Sequence, residues 1–266
     1  MSVSPPPALR AEIVRRLRTA GCVYAEEEAH LLESAAPTPG DLRAMVDRRV
    51  AGWPLEQVLG WAEFCGLRIT LDIGVFAPRR RTEFLVRHAA ALARPGVVVV
   101  DLCCGSGAVG AALAAALGPI ELYAVDIDPT AVRCARRNLA AVAGNVYEGD
   151  LYDPLPDELV DRVDVLTANV PYVPSGEIAL LPSEARDHEP RVALDGGTDG
   201  LHVLRRVAAA APRWLAPGGR LLVETSERQA ASAAEAVRSS GLISRVVRSD
   251  DFDATIAIGS RPRRVR

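Results

Sequence analysis

The sequence contains no lysine; all 31 of its cationic side chains are arginine. This reads first as GC-rich coding bias and only second as selection for bidentate contacts. With 34 acids against them, the formal net charge is −3. That balance excludes a nucleic-acid binder relying on a broad basic surface. Aromatic residues make up 5% of the chain, so Ala, Leu and Val must supply most of the core. Cysteine is sparse and unsuitably spaced. Cys22, Cys65, Cys103, Cys104 and Cys134 are odd in number, two are adjacent, and no CxxC or His-flanked cluster occurs. Neither a disulfide framework nor a zinc site fits, and the thiols read as reduced, buried small hydrophobes. His30, His88, His188 and His202 are scattered and suggest no metal or nucleophile system. The longest apolar stretch, Ala108 to Leu117, is too short to span a bilayer. The N-terminal MSVSPPPALR lacks an apolar signal core. The expectation is a soluble, cytoplasmic protein.

What is present is room for one α/β domain and a smaller accessory one within 266 residues. Apolar residues at helical spacing predict helices over Ala8 to Ala20, Glu26 to Ala35 and Gly40 to Ala51, the last with Thr38 as N-cap and Pro39 in its first turn. FCGLRITLDIGVF alternates as strands do, with Gly66 and Gly74 as turn points. The expected division is a helical substrate-recognition domain over 1–60, a β-hairpin linker over 61–81, and a main domain over 82–266. In the main domain VVVVDL is a continuous apolar run, as in a central parallel strand. Strands and helices then alternate to the end of the chain, with a long loop after the strand Val163 to Ala168. That alternation predicts a doubly wound, seven-stranded Rossmann-like sheet whose ligand sits beyond the carboxyl ends of the strands.

The turn after the first strand of this domain reads Asp101-Leu-Cys-Cys-Gly105-Ser-Gly107-Ala-Val-Gly110. Gly105 and Gly107 allow close backbone approach to a ligand, and the next helix presents free N–H groups. Asp126 ends the following strand, where a carboxylate accepts from both ribose hydroxyls. The glycines satisfy GxGxxG, which alone leaves a nicotinamide or flavin site, or a ligand-free turn, as alternatives. Two acids favour the methyl donor S-adenosylmethionine. Asp101 suits a cationic amino group and repels a pyrophosphate, although it also reads as a helix-capping carboxylate. Asp150, in EGDLYDPLP, is placed to bond an adenine amino group, with Leu151 against the ring; a plain turn residue is the other reading.

Asn169-Val170-Pro171-Tyr172 follows the fourth strand. The amide oxygen of Asn169 and the backbone carbonyl of Val170 form two acceptors for an incoming –NH2 group. Pro171 holds Val170 extended, and Tyr172 offers a flat face for a planar amide or base. The leaving group is a neutral thioether, so no strong general base is needed and catalysis rests on positioning.

With these residues in view, the chain resembles the bacterial protein-glutamine N-methyltransferases, the HemK/PrmC group. Those enzymes methylate the glutamine in the Gly-Gly-Gln loop of class I peptide release factors. The likeness extends over nearly the whole chain, through RRVAGWPLEQVLGWAEFCGLRI, APRRRTEFLV, DLCCGSGAVG, AVDIDPTAV and EPRVAL. It implies a class I methyltransferase fold with a small N-terminal helical domain. It also implies cofactor contacts from Cys103, Cys104, Gly105, Ser106, Gly107, Asp126, Leu151 and Asn169, with Asn169 to Tyr172 holding the glutamine amide. Phe76 and Arg79 fall near the active-site rim by the same likeness, Arg79 reading equally as a solvated charge.

Three departures point to a paralogue. Val170 replaces the first proline of the usual Asn-Pro-Pro-Tyr, the usual PRPDTE reads PRRRTE over 78–83, and the usual E-I-G reads Glu224-Thr-Ser226. The expected partner is a release factor or another glutamine-bearing protein, with no membrane and no direct nucleic-acid binding. A methyltransferase for an exocyclic amino group on a nucleobase or small molecule is one rival. A binding module that holds the donor without turnover is another. The only basic clusters, Arg79 to Arg81 and the RPRRVR tail, read as ordinary solvated charge.

Overall fold

The structure, a computed structural model, describes residues 7–94 and 96–263. The first six residues of MSVSPPPALR and the last three of the basic tail lie outside the described residues. Helices α1 (Pro7–Thr19), α2 (Ala25–Ala35), α3 (Pro39–Val50) and α4 (Leu55–Leu59) open the chain. Thr38 caps α3, its hydroxyl oxygen accepting from the Asp41 N–H at 3.1 Å, with Pro39 in the first turn. The sequence reading omits α4, whose five residues are too few to show a helical period. These helices share an apolar core that includes Leu17, Leu32, Leu42, Val46 and Val58.

Strands β1 (Trp61–Phe64) and β2 (Leu67–Thr70) pair antiparallel. Their turn is Cys65-Gly66, with φ of +50° and +73°, the left-handed pair that suits the twist of a tight hairpin. The hairpin ends at Thr70, because Gly74 turns the chain in a separate bend. Phe64 and Ile69 pack into the core beneath α5 (Thr82–Leu92).

The main sheet follows. Its elements are β3 (Val98–Leu102), α6 (Ala108–Leu117), β4 (Glu121–Asp126), α7 (Pro129–Leu139), β5 (Asn145–Glu148), β6 (Val163–Ala168), α8 (Ser183–His188), α9 (Arg191–Leu194), α10 (His202–Trp214), β7 (Leu215–Thr225), α11 (Ala230–Ser239), β8 (Ile243–Ser249) and β9 (Ala254–Ser260). The order is β5-β4-β3-β6-β7-β9-β8. All neighbours are parallel except β9, which runs against β7 and β8. Every residue of β3 is buried, as a strand covered on both faces must be.

Two differences from the expected elements have local causes. Strand β7 starts at Leu215 rather than near Gly219, because a bulge lets Val163 pair with Leu215 and Val165 with Arg220. The intervening Ala-Pro-Gly-Gly carries turn propensity that the sheet overrides. The loop after β6 contains a 3-10 turn (Ser175–Leu180) together with α8 and α9, all short enough to depend on tertiary contacts. Among the described residues no helix is long and apolar enough to cross a membrane.

After β5 the chain returns to the other side of β3, so the strand order reverses between β3 and β6. Leu102 pairs with Ala168 there. The segments Asp101–Gly107 and Asn169–Tyr172 therefore leave adjacent strand tips at the same end of the sheet, where open α/β sheets bind ligands.

Candidate active site

The loop after β3 is held by local bonds. Cys103, Gly105 and Gly107 have φ of +54°, +55° and +77°. A non-glycine residue in this region costs roughly 1–2 kcal/mol, so Cys103 is held there by its surroundings. Its neighbour's N–H, on Cys104, donates to the Val125 carbonyl at 3.0 Å. Asp126 closes the turn. Its carboxylate accepts from the Gly105 N–H at 2.8 Å and the Asp128 N–H at 2.9 Å.

The glycines divide the work differently from the expectation. A Cβ on Gly105 would meet nothing within 4 Å, whereas one on Gly107 would lie 3.2 Å from the Ala135 backbone and one on Gly110 3.2 Å from Leu122. Gly105 therefore faces open space, while Gly107 and Gly110 let α6 pack against α7 and β4. Ser106 is buried, and its carbonyl accepts from the Asn138 side chain at 2.8 Å.

Asp101 is 1% exposed. One carboxylate oxygen accepts from the Thr167 hydroxyl at 2.8 Å and the other has no partner among the described residues. Burial pushes this carboxyl up to about 7 against the Thr167 bond and the Gly110 N–H of α6, which lower it. Burial, then the carboxylates of Asp126, Asp101 and Asp150, raises the Cys103 thiol; Cys104 is likewise raised, by burial and then Asp126 and Asp101. Both thiols stay protonated and are not nucleophiles. Asp150 meets Arg206 of α10 at 2.7 Å, and Leu151, buried at φ +51°, follows it. Among the described residues no cluster of His, Cys, Asp and Glu could hold a metal ion.

These groups fit S-adenosylmethionine. An orphaned buried carboxylate oxygen suits a cationic amine, and Asp126 has lone pairs left for hydroxyls. Two acids at one loop disfavour a pyrophosphate.

On the other side of the reversal, the Asn169 side-chain NH2 lies 3.5 Å from the Thr82 hydroxyl oxygen at the start of α5. No described residue donates to its amide oxygen or to the Val170 carbonyl. The Val170 side chain is 2% exposed, in the core under α10. Tyr172 points its hydroxyl at Glu224 over 3.5 Å, and burial first, then Glu224, pushes the phenol up to about 12.

Several residues that the sequence reading did not assign support this loop. The Gln229 side chain donates to the carbonyls of Tyr172 at 2.9 Å and Asp199 at 3.0 Å. A Cβ on Gly196 would fall 2.7 Å from the Pro171 carbonyl, and one on Gly200 would collide with the Tyr172 carbonyl. The turn run DGGTDG (195–200) was the available signal, since glycines crowded into a loop mark close backbone approach. Arg81 donates from Nε to Glu224 at 3.1 Å. Arg79 pairs with the buried Glu189 and lies over the Phe76 ring at 5.2 Å. Arg79 is thus a brace between the chain before α5 and the loop after β6, and not a solvated charge. Cys22, Cys104 and Cys134 are buried as expected, whereas Cys65 and Cys103 are only partly buried, and none is bridged.

The family described as "Methyltransferase small domain" matches residues 66–179. A release factor glutamine methyltransferase from Geobacter sulfurreducens is 38% identical, covering 80% of this chain and 72% of its own. Another with that name, from Mycolicibacterium smegmatis, is 38% identical over 81% of this chain and 78% of its own. A 4-amino-L-phenylalanine/4-methylamino-L-phenylalanine methyltransferase from Streptomyces pristinaespiralis is 37% identical over 78% and 73%. Among solved structures, a methyltransferase from Pyrococcus furiosus shares the fold, with a TM-score of 0.56 at 17% identity over 83% of this chain and 98% of that one. The chain belongs to the release factor glutamine methyltransferase family of S-adenosylmethionine-dependent methyltransferases.

Proposed function

We propose that this protein methylates the side-chain amide nitrogen of a protein glutamine, that of the Gly-Gly-Gln loop in a class I peptide release factor. One observation carries the reading: the Asn169 amide oxygen and the Val170 carbonyl, unclaimed by any described donor, stand at the strand tip beside the Asp101–Gly107 loop. The names of the relatives from Geobacter sulfurreducens and Mycolicibacterium smegmatis support the choice of acceptor.

S-adenosylmethionine supplies an electrophilic methyl group and a neutral leaving group. Asp101 takes its amino group, Asp126 the ribose hydroxyls, and the Cys103–Gly107 backbone lines the same turn. Asp150 and Leu151 lie at the adenine end, where Asp150 shares its carboxylate with Arg206. Asn169 Oδ1 and the Val170 carbonyl accept the two N–H bonds of the target amide, which turns the nitrogen lone pair toward the donor. Pro171 keeps the Val170 carbonyl aimed, and Tyr172 lies against the amide plane. Orientation of this kind contributes about 7–11 kcal/mol in favourable cases. The nitrogen loses one N–H proton late, to water, since Asp101 is taken up by the donor's amino group and Glu224 is bonded to Arg81.

The separate core of α1–α4 supports a recognition domain over 1–60, with the hairpin segment 61–81 joining it to a catalytic domain over 82–266. Five unbridged cysteines and a release factor acceptor suit the cytoplasm.

The test uses purified protein, labelled methyl donor and recombinant release factor, with mass spectrometry of the Gly-Gly-Gln peptide. Methyl on the glutamine amide is expected. Label appearing instead on 4-amino-L-phenylalanine or on nucleic acid overturns the reading.

A further inference from the structure

Arg81 lies at the edge of the acceptor side. Its Nε donates to Glu224 at 3.1 Å, and its guanidinium carbon lies 5.8 Å from the Tyr172 ring centroid. Glu224 is 2% exposed and sits at the end of β7, one position beyond the Ala168–Val223 pair, so it is level with Asn169. The pair thus fixes one edge of a planar donor beside the proposed acceptor. The other edge, carrying both terminal nitrogens, donates to nothing among the described residues, and the Arg81 side chain remains 42% exposed.

A primary amide brings two N–H bonds and one carbonyl oxygen. Asn169 Oδ1 and the Val170 carbonyl accept the N–H bonds, which leaves the oxygen without a donor. The neighbouring donors are engaged: the Asn169 NH2 faces Thr82, and the Tyr172 hydroxyl faces Glu224. A desolvated carbonyl left unpaired is costly; Arg79 is committed to the buried Glu189, and the Arg81 fork, beside Tyr172, has N–H groups to spare.

We propose that Arg81 is a specificity-determining residue: its free guanidinium edge donates to an sp2 oxygen of the acceptor. Resting on the glutamine reading above, the oxygen is the amide's own carbonyl. A carboxylate on a small amino-acid acceptor offers the same chemistry to the same edge. Glu224 is then a positioning residue that acts through Arg81.

The test compares wild type, Arg81→Lys and the double variant Arg81→Gln/Glu224→Gln, using release factor as acceptor. Removing both charges together avoids stranding Glu224. The double variant is expected to keep its melting temperature and donor Kd. Its kcat/KM for release factor should fall about 10- to 100-fold, equivalent to about 1.4–2.8 kcal/mol, with most of the loss in KM. Wild-type kcat/KM in a folded double variant overturns the inference, because Arg81 then only neutralises Glu224. Should the double variant misfold, Arg81→Lys decides: it keeps the charge but not the fork, and an unchanged acceptor KM overturns the inference. If wild type leaves release factor unmodified and methylates 4-amino-L-phenylalanine, the glutamine reading fails on its own. A similar loss in the double variant on that substrate then supports Arg81 as a carboxylate reader, and equal rates overturn it.

Discussion

The two halves of the proposed site differ in how their supports are distributed along the chain. On the donor side, the groups that shape the loop come from a short stretch of chain: Gly105 bonds Asp126, Cys104 bonds Val125, and Gly107 rests on Ala135. On the acceptor side, Gly196 and Gly200 are again close in the chain, but the charged braces cross the molecule. Glu224 reaches Arg81 across 143 positions, Arg79 reaches Glu189 across 110, and Arg49 of α3, which also holds Glu28, reaches Glu184 of α8 across 135. A half made of local bonds forms with the sheet itself. A half made of distant ones is set by how α3, α5 and β7 meet. Donor binding and acceptor placement are therefore separable by mutation.

The largest separation should come from Asn169→Ala. Removing a preorganised polar group at a reacting centre costs about 100- to 1,000-fold in kcat. The donor Kd, read by calorimetry, should move much less; an equal loss in both would merge the two halves.

Gly200→Ala attacks the acceptor half from behind. Its φ is +74° and its Cβ would collide with the Tyr172 carbonyl and the Gln229 side chain. The loop must shift, and a displacement of about 1 Å costs roughly 100-fold in rate. Steady-state kinetics should show lower kcat with donor affinity retained.

Asp126→Ala tests the donor half. It removes the acceptor for the Gly105 and Asp128 N–H groups together with the proposed ribose contact. Hydrogen bonds to a charged group are worth about 1.5–3 kcal/mol, so the donor Kd should rise about 10- to 100-fold. Once the donor is saturating, kcat should recover most of its value.

A pH titration gives a smaller effect with a definite sign. Burial raises the Asp101 carboxyl from its usual 3.8 to about 7, so between those values the folded protein holds a proton that the unfolded chain has lost. The stability from the protonated form is complete below the lower value and is lost as pH rises through about 7. The proposed ammonium partner needs the ionised form. Donor affinity should therefore fall by up to about tenfold per unit as pH drops below 7, and Asp101→Asn should flatten the dependence. A pH-independent affinity in the wild type would remove Asp101 from the donor site.

The same contrast governs what could be read from sequence. VVVVDL, the glycine turn and Asp126 lie close together in the chain, so their spacing alone predicts that they share one turn. Asn169 was legible because a parallel strand brings its tip to the same end as β3. Thr82, Gln229 and Gly200 were not, because their roles exist only after elements far apart in the chain have met. Arg81 drew notice as a departure from a family pattern and Glu224 as the retained acid of another; that they touch is a fact of tertiary structure. Helix α4 and the short helices after β6 were hidden for the same reason, having too few residues to show a period.

The finest comparison lies within the acceptor loop, at Val170. Its side chain is 2% exposed against the core under α10, and its N–H donates to no acceptor among the described residues. Proline at this position loses no protein hydrogen bond and keeps a compact apolar side chain in the same place. It also confines Asn169 to extended backbone, which suits a residue leaving a strand. What holds the Val170 carbonyl in place is already supplied by Pro171, by Gln229 on the Tyr172 carbonyl, and by Gly196 and Gly200 beneath. The added stiffness is therefore largely redundant. Val170→Pro should change kcat by less than about threefold, because pre-organisation contributes only where freedom remained to be lost. A larger gain in kcat would mean that the distant braces leave the carbonyl loose, and that the acceptor half depends on the local stiffness that distinguishes the donor half.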